Sequence, residues 1–443
     1  MKKIINIKSF CCIFTASTLF ACTQEVINEV PAQAENEVEA MTTLPKYRTY
    51  EEALAVAQEA IGMLGENSVT RSGKPRTVST DDVQYIMNTS STRSDEEPDT
   101  LMYVFNYEDN AGFAVVSANR ATEELIAVTE QGNYVAGEET GNGGFDLYMN
   151  MAQTYVTRAA EPLPWLDGDQ EVLTEFKACV ESDTLTFGPY ISVRWGQEWP
   201  YNIACPIREG KRTKAGCVAI AMAQIMTYYK YPNSFTVTYQ PTDFVQTLNW
   251  NNMLQHVYTE DSENQTCSQC NPATVHNVIG SLIRQIGEKV EMKYNVDASN
   301  AESDLFVRSA LAYFGYASDN YQTYSSDVVK NSIIGRKLVF MRGGVSSDDG
   351  HAWVVDGYRY IHELHCEYTK PINALEWTEF RRWTEDLYYN HINWGWDGDN
   401  NGYFLQNVFD ITLSQELDPG VTEIDSEYNF TYDLKIIPNI RKQ

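Results

Sequence analysis

Residues 214–232, KAGCVAIAMAQIMTYYKYP, constrain this chain more than any other stretch. A run of small and apolar residues begins on Cys217 and stops at Pro232, a residue that cannot continue a helix. The spacing predicts an amphipathic helix, with Ala219, Ala221 and Ala223 small enough for neighbours to bury it tightly. Gly216 lets another segment approach the backbone closely. Cys217 then sits in the first turn, where backbone N–H groups have no intrahelical partner and the dipole favours an anion. A thiol so placed ionises more easily than a free cysteine. A lone cysteine at a helix start is more often structural than reactive, so its chemistry depends on partners elsewhere in the chain.

A cysteine nucleophile needs a base, a group that orients the base, and donors for an oxyanion. Among six histidines, His351 stands in Asp349-Gly350-His351-Ala352-Trp353-Val354-Val355-Asp356-Gly357-Tyr358. The alternation predicts a strand that starts at this histidine, holding it rigidly while it faces a cleft. The competing reading is a satisfied histidine at a strand end. Further on comes His391-Ile392-Asn393-Trp394-Gly395-Trp396. The Asn393 amide can accept from the distal ring nitrogen of His351 and fix its tautomer, with the Trp394 indole covering that bond from water. Taken alone, this segment reads as an aromatic, glycine-rich turn in a core. Before the cysteine lie Trp195-Gly196-Gln197, Pro200-Tyr201-Asn202 and Cys205-Pro206. Gln197 stands 20 positions before Cys217, and its side-chain N–H with the Cys217 backbone N–H can form an oxyanion hole. Without the other segments it is an ordinary loop residue.

Four segments thus occur in order: a Gln, a Gly-Cys on a helix, a Gly-His-Ala, and an Asn-Trp-Gly-Trp. That order resembles the papain-like cysteine peptidases. The wording of Gly216-Cys217-Val218-Ala219, Ala223-Gln224-Ile225-Met226 and Tyr231-Pro232 is similar to the streptopain family, as is the 195–206 segment. The resemblance implies Cys217 as nucleophile, His351 as general base and acid, Gln197 as oxyanion donor, and Asn393 with Trp394 orienting His351. It implies protein or peptide substrates, with an apolar residue two positions before the scissile bond. It also implies a zymogen whose N-terminal α+β pro-domain blocks the cleft; Gly112-Phe113-Ala114-Val115-Val116-Ser117-Ala118 looks like part of such a segment. One departure is visible: His351 and Asn393 stand 42 positions apart. The charged, aromatic stretch at 360–390 is expected to form an elaborated hairpin near the cleft, bearing on substrate preference more than on chemistry.

The start of the chain reads as an export signal. Lys2, Lys3 and Lys8 precede an apolar run over 10–21, and Leu19-Phe20-Ala21-Cys22 resembles a bacterial lipoprotein box with Cys22 as the lipidated residue. An ordinary cleaved signal ending near Ala21 is the simpler alternative. The run is too short for a spanning helix, so membrane attachment is expected only through the Cys22 lipid. The protein is expected to be exported, as a bacterial outer-membrane or cell-surface lipoprotein whose mature domain is released or retained. Of 443 residues, 43% are hydrophobic and 12% aromatic, enough to build cores, and the net charge of -28 disfavours nucleic acid as a partner.

The expected organisation is a signal at 1–22, a flexible acidic tether at 23–46, a pro-domain at 47–160, a processing linker at 161–189 and a peptidase domain at 190–443. Within the pro-domain, the pattern predicts a helix over 47–64, a polar linker over 68–99, strands at 101–107, 112–118 and 125–129, and a helix over 144–158. The fold class is α+β, a papain-like domain behind a small α+β pro-domain.

Two rival sites carry less. Cys267 and Cys270, with His276 nearby, lack the second cysteine pair of a zinc site, so a local disulfide or two free thiols are expected. Cys205 has no assigned partner. His362-Glu363-Leu364-His365 lacks the four-residue spacing of a zinc-protease helix. No metal or cofactor is expected. The other functional class is a catalytically silent surface lipoprotein that only binds proteins or peptides; the presence of Cys217, His351 and Gln197 argues against it.

Overall fold

Local signals set the N-terminal elements in the computed structural model, which describes residues 47–68, 70, 73–87, 100–158, 174–255, 272–301, 303–344, 350–371, 378–410 and 433–443. Helix α1 (Tyr50–Ala60) opens with a capping box. The Thr49 hydroxyl accepts from the Glu52 N–H, and the Glu52 carboxylate accepts from the Thr49 N–H at 2.7 Å. Its buried face is Ala53, Ala57 and Ala60, at helical spacing. Four strands follow: β1 (Val78–Met87), β2 (Thr100–Tyr107), β3 (Phe113–Ser117) and β4 (Leu125–Thr129). Every residue of β3 and β4 is buried, which requires cover on both faces of the sheet. Helix α2 (Gly143–Arg158) packs on β2 and on the strands of the C-terminal half.

β1 falls inside the stretch expected to be a linker. Most of its residues are exposed or half-buried, so its apolar signal is weak. Strand β5 (Thr174–Phe187) likewise occupies much of the segment expected as a processing linker. Residues 161–173 of that segment, the last two residues of the expected pro-domain, the leader and tether with Cys22, and Cys267 and Cys270 lie outside the described residues.

The C-terminal half is built on α3 (Cys217–Tyr229), α4 (Pro272–Lys289), α5 (Ser303–Tyr313) and α6 (Ser326–Ile334). Its strands include β6 (Leu338–Gly344), β7 (Gly350–Pro371), β8 (Thr378–Asn393), β9 (Gly402–Leu405) and β10 (Lys435–Lys442). The expectation of an amphipathic α3 is corrected: every residue from Cys217 to Thr227 is buried. The helix runs between β7 and α4, which leaves it no solvated face.

One antiparallel sheet runs through both halves, in the order β1-β2-β3-β4-β9-β8-β7-β6-β10. The joint is β4 against β9, with Thr129 opposite Gly402, Val128 opposite Tyr403 and Ala127 opposite Phe404. Side-chain alternation splits the interior into two cores. Val339, Met341, Trp353, Val355 and Ile436 face one, shared with α1, α2 and the N-terminal strands. Leu338, Phe340, Ala352, Val354 and Ile437 face the other, around α3. Beyond Tyr358, β7 pairs with β5 on one side and β8 on the other, making a three-stranded arm out of the expected hairpin.

Candidate active site

Cys217 is the first residue of α3, and the backbone there admits only glycine before it. Gly216 has φ of 91°, and a Cβ on it would come within 2.6 Å of the Met292 side chain. His351, next to the start of β7, hydrogen-bonds the Cys217 thiol. Burial opposes ionisation of that thiol. The hydrogen bond and charge of His351, with backbone hydrogen bonds from Ala352 and Val218, outweigh burial and hold the thiol below its ordinary value. At Cys205 burial outweighs the charges of Arg284 and Arg212 and a hydrogen bond with Tyr294, and pushes the thiol up to about 12. Among the described residues Cys205, Cys217 and Cys366 are free thiols, so ionisation and not pairing separates Cys217 from Cys205.

Gln197 is buried, and its backbone carbonyl accepts from the Ala215 N–H at 2.9 Å, tying this segment to the approach to α3. Asn393 takes a different place from the one expected. Its Oδ1 accepts from Gln224 Nε2 at 2.9 Å and from the Gly395 N–H at 3.1 Å, and its Nδ2 donates to the Val193 carbonyl at 2.9 Å. These bonds run to the helix, the following turn and the segment before Trp195, rather than to the ring of His351. Asn393 therefore holds the walls of the site together. Gln224 was not singled out from sequence; its Nε2 also reaches the Trp195 carbonyl at 3.3 Å, so it joins three segments. Its spacing of seven from Cys217, placing it on the same helical face, is the signal that marks it.

Trp394 is fixed at both ends of its residue: its N–H donates to Asn401 Oδ1 and its indole Nε1 to the Asn400 carbonyl, each at 3.0 Å. Its ring lies 5.0 Å from Trp353 and edge-on to Phe145 of α2 and Phe404 of β9. The start of α2 rests on this wall. A Cβ at Gly143 would collide with Nε2 of His351, and one at Gly144 would come 2.7 Å from the Trp394 ring. The N-terminal domain thus covers His351 and Trp394 with two residues that have no side chain. A pocket at the seam is lined by Asn142, Trp396, Asp399 and Asn400 among others, and by neither Cys217 nor His351.

One set of described side chains has metal-ligand geometry: Glu363, His365 and Glu385, on the arm. The His365 ring stacks on Trp383, and its Nε2 lies 3.1 Å from Glu363 and 3.6 Å from Glu385. His362 and His365 sit on a strand, not a helix. His276 packs edge-on against Trp199, and burial lowers its pKa.

Comparisons with known proteins match both halves. A family described as the Peptidase C10 family matches residues 195–404, and one described as Spi protease inhibitor matches residues 41–156. Streptopain of Streptococcus pyogenes is 25% identical over 338 residues, spanning 68% of this chain and 73% of the relative. The thiol protease/hemagglutinin PrtT of Porphyromonas gingivalis is 23% identical over 354 residues, and the match spans 72% of this chain but only 36% of PrtT. Among solved structures, a prointerpain A fragment of Prevotella intermedia matches in fold, with a TM-score of 0.51 at 22% identity, covering 82% of this chain and 99% of the fragment.

Proposed function

The chain belongs to the Peptidase C10 family, whose members are cysteine peptidases, and on that footing we propose that Cys217 is its nucleophile and His351 its general base and acid. The observation that carries this reading is the contrast between two buried thiols, one held low by His351 and the other pushed up to about 12.

In this mechanism the Cys217 thiolate attacks the carbonyl carbon of a peptide bond. The side-chain N–H of Gln197 and the backbone N–H of Cys217 donate to the developing oxyanion. His351 gives its proton to the leaving amine, and the C–N bond breaks. Water then attacks the thioester, with His351 taking its proton, and Cys217 is released. Asn393 and Gln224 keep the Gln197 segment, the helix and the Trp394 turn in register; they are positioning residues.

The precursor is a zymogen in which the N-terminal domain inhibits its own peptidase. The absence of side chains at Gly143 and Gly144, against His351 and Trp394, supports this. Activation requires that α2 leave the cleft, with a cut in the 158–188 region. Substrates are proteins or peptides with an apolar residue two positions before the scissile bond. Export and a lipid at Cys22 complete the reading, on the leader sequence alone.

The test is the intact mass of the precursor, beginning after Cys22, followed over time at near-neutral pH with a reductant beside a Cys217→Ser variant. The wild type is expected to convert to a smaller mature form while the variant persists. If both mature alike and the mature wild type cleaves no unfolded protein, the assignment of Cys217 is wrong.

A further inference from the structure

Four ionisable side chains meet where the N-terminal sheet joins the C-terminal one. Glu130 directly follows β4, and its N–H donates to the Asn401 carbonyl at 2.7 Å, extending the β4–β9 joint by one residue. One carboxylate oxygen accepts from Arg194 Nη2 at 3.0 Å, and the other lies 3.3 Å from His391 Nε2. The opposite ring nitrogen, Nδ1, lies 2.6 Å from Asp356 Oδ1. Asp356 Oδ2 in turn accepts from the Ile191 N–H at 2.9 Å, and Arg194 Nη1 donates to Gln131 Oε1 at 3.0 Å. Asp356, His391 and Glu130 are all buried.

An imidazole with a carboxylate at each nitrogen needs a proton on both, so His391 is an imidazolium. Two anions, Asp356 and Glu130, then face two cations, His391 and Arg194, with the buried Arg76 guanidinium also near Glu130. Three members belong to the peptidase half, and one, Glu130, to the N-terminal half. Taking Glu130 away leaves a buried cation and an arginine with one counter-charge between them, a costly arrangement. Apolar contacts alone do not fix the register of β4 on β9, because β4 is buried on both faces and a slip of two residues keeps the same alternation.

We propose that Glu130 is the selective anchor of the N-terminal domain: its carboxylate fills a cationic socket formed by Arg194 and His391, and β4 docks on the β9 edge in the one register that puts it there. The partner this edge accepts is thus an extended strand followed by a carboxylate. Arg194 precedes Gln197 by three residues and Asp356 holds Ile191, so the socket is built from the same segment as the proposed oxyanion donor. The inference rests on the reading of this domain as an inhibitor.

The experiment measures amide hydrogen exchange in the precursor carrying Cys217→Ala, so that no cut intervenes. Glu130→Gln is expected to speed exchange over residues 402–405 at least ten-fold, leave α3 protected, and differ from Glu139→Gln, which alters an exposed carboxylate. Arg194→Gln is expected to do the same, and the double variant to match either single one. Unchanged protection of 402–405, additive effects, or loss of α3 protection in both single variants overturns the anchor. With Cys217 intact, Glu130→Gln is expected to mature faster. If β9 is deprotected yet maturation is not faster, the anchor stands and the inhibitor reading falls.

Discussion

β7 carries two histidines in two different settings. At its inner end, His351 hydrogen-bonds a buried thiol, among residues that face two packed cores. At its outer end, His365 stacks on Trp383 between two half-buried glutamates, on an arm that extends past the body of the sheet. The strand is continuous, pairing with β6 at His351 and with β8 at His365. The difference teaches that one strand can be tightly specified at one end and loosely at the other. Inner residues must satisfy two cores and the cleft, whereas outer ones need only satisfy their strand neighbours.

The largest effect expected is at the inner end. His351→Ala should lower kcat/KM for an unfolded protein substrate by on the order of 10³-fold or more, read on protein matured by an outside protease. An effect below ten-fold would erase the distinction between the two histidines.

Next is the contact that covers His351. Gly143→Val places branched carbons where His351 Nε2 sits, so the start of α2 must lift. Overpacking of this kind costs about 1–3 kcal/mol, and the precursor should mature roughly ten-fold faster in a time course of intact mass, as 1.4 kcal/mol is a factor of ten. A maturation rate equal to wild type would mean that this contact does not guard the cleft.

A third effect is pH-dependent. Burial works against the His391 proton, but Asp356 and then Glu130 outweigh it and raise the pKa to about 9. The other groups around it are the Tyr403 ring, Arg359 stacked on Tyr403, and Arg194 and Arg76 near Glu130. The raised value means the interaction is complete below the ordinary histidine pKa of about 6.5 and is lost as pH rises through about 9. Exchange at residues 402–405, corrected for its intrinsic pH dependence, should therefore stay slow through neutrality and quicken above pH 8. A flat profile to pH 10 would mean that His391 carries no charge in the precursor.

The smallest change is expected at the outer end. His365→Ala leaves Glu363 directly opposite Glu385, and like charges across strands destabilise by up to about 1 kcal/mol. The thermal midpoint should fall slightly while kcat/KM holds within about two-fold. A ten-fold loss of activity would bring the arm into the site.

Sequence legibility followed the same gradient. Where residues are buried, the pattern spoke clearly. The cysteine helix, the 101–118 hairpin, the strand at 125–129 and the helix near 144–158 all have counterparts in α3, β2 to β4 and α2. β1 and the 181–187 part of β5 read as linkers in sequence, since strands with solvated faces share the Ser, Thr and charge content of loops. Cys217, His351 and Gln197 stood out because their neighbours are distinctive words. Gln224 did not, being one polar residue inside an apolar run, although its amide ties Asn393 to Trp195. Glu130 and His391 are 261 positions apart, and no local spacing could bring them together.

The joint between β4 and β9 has a consequence for how the chain is made. Thr129 leaves the ribosome long before Gly402, its strand partner. Through that interval Leu125–Thr129, apolar and with one row of backbone donors and acceptors unmet, is an open template for any other extended chain. A nascent or truncated product that stops short of residue 402 keeps that template open, and association between copies competes with completion of the fold.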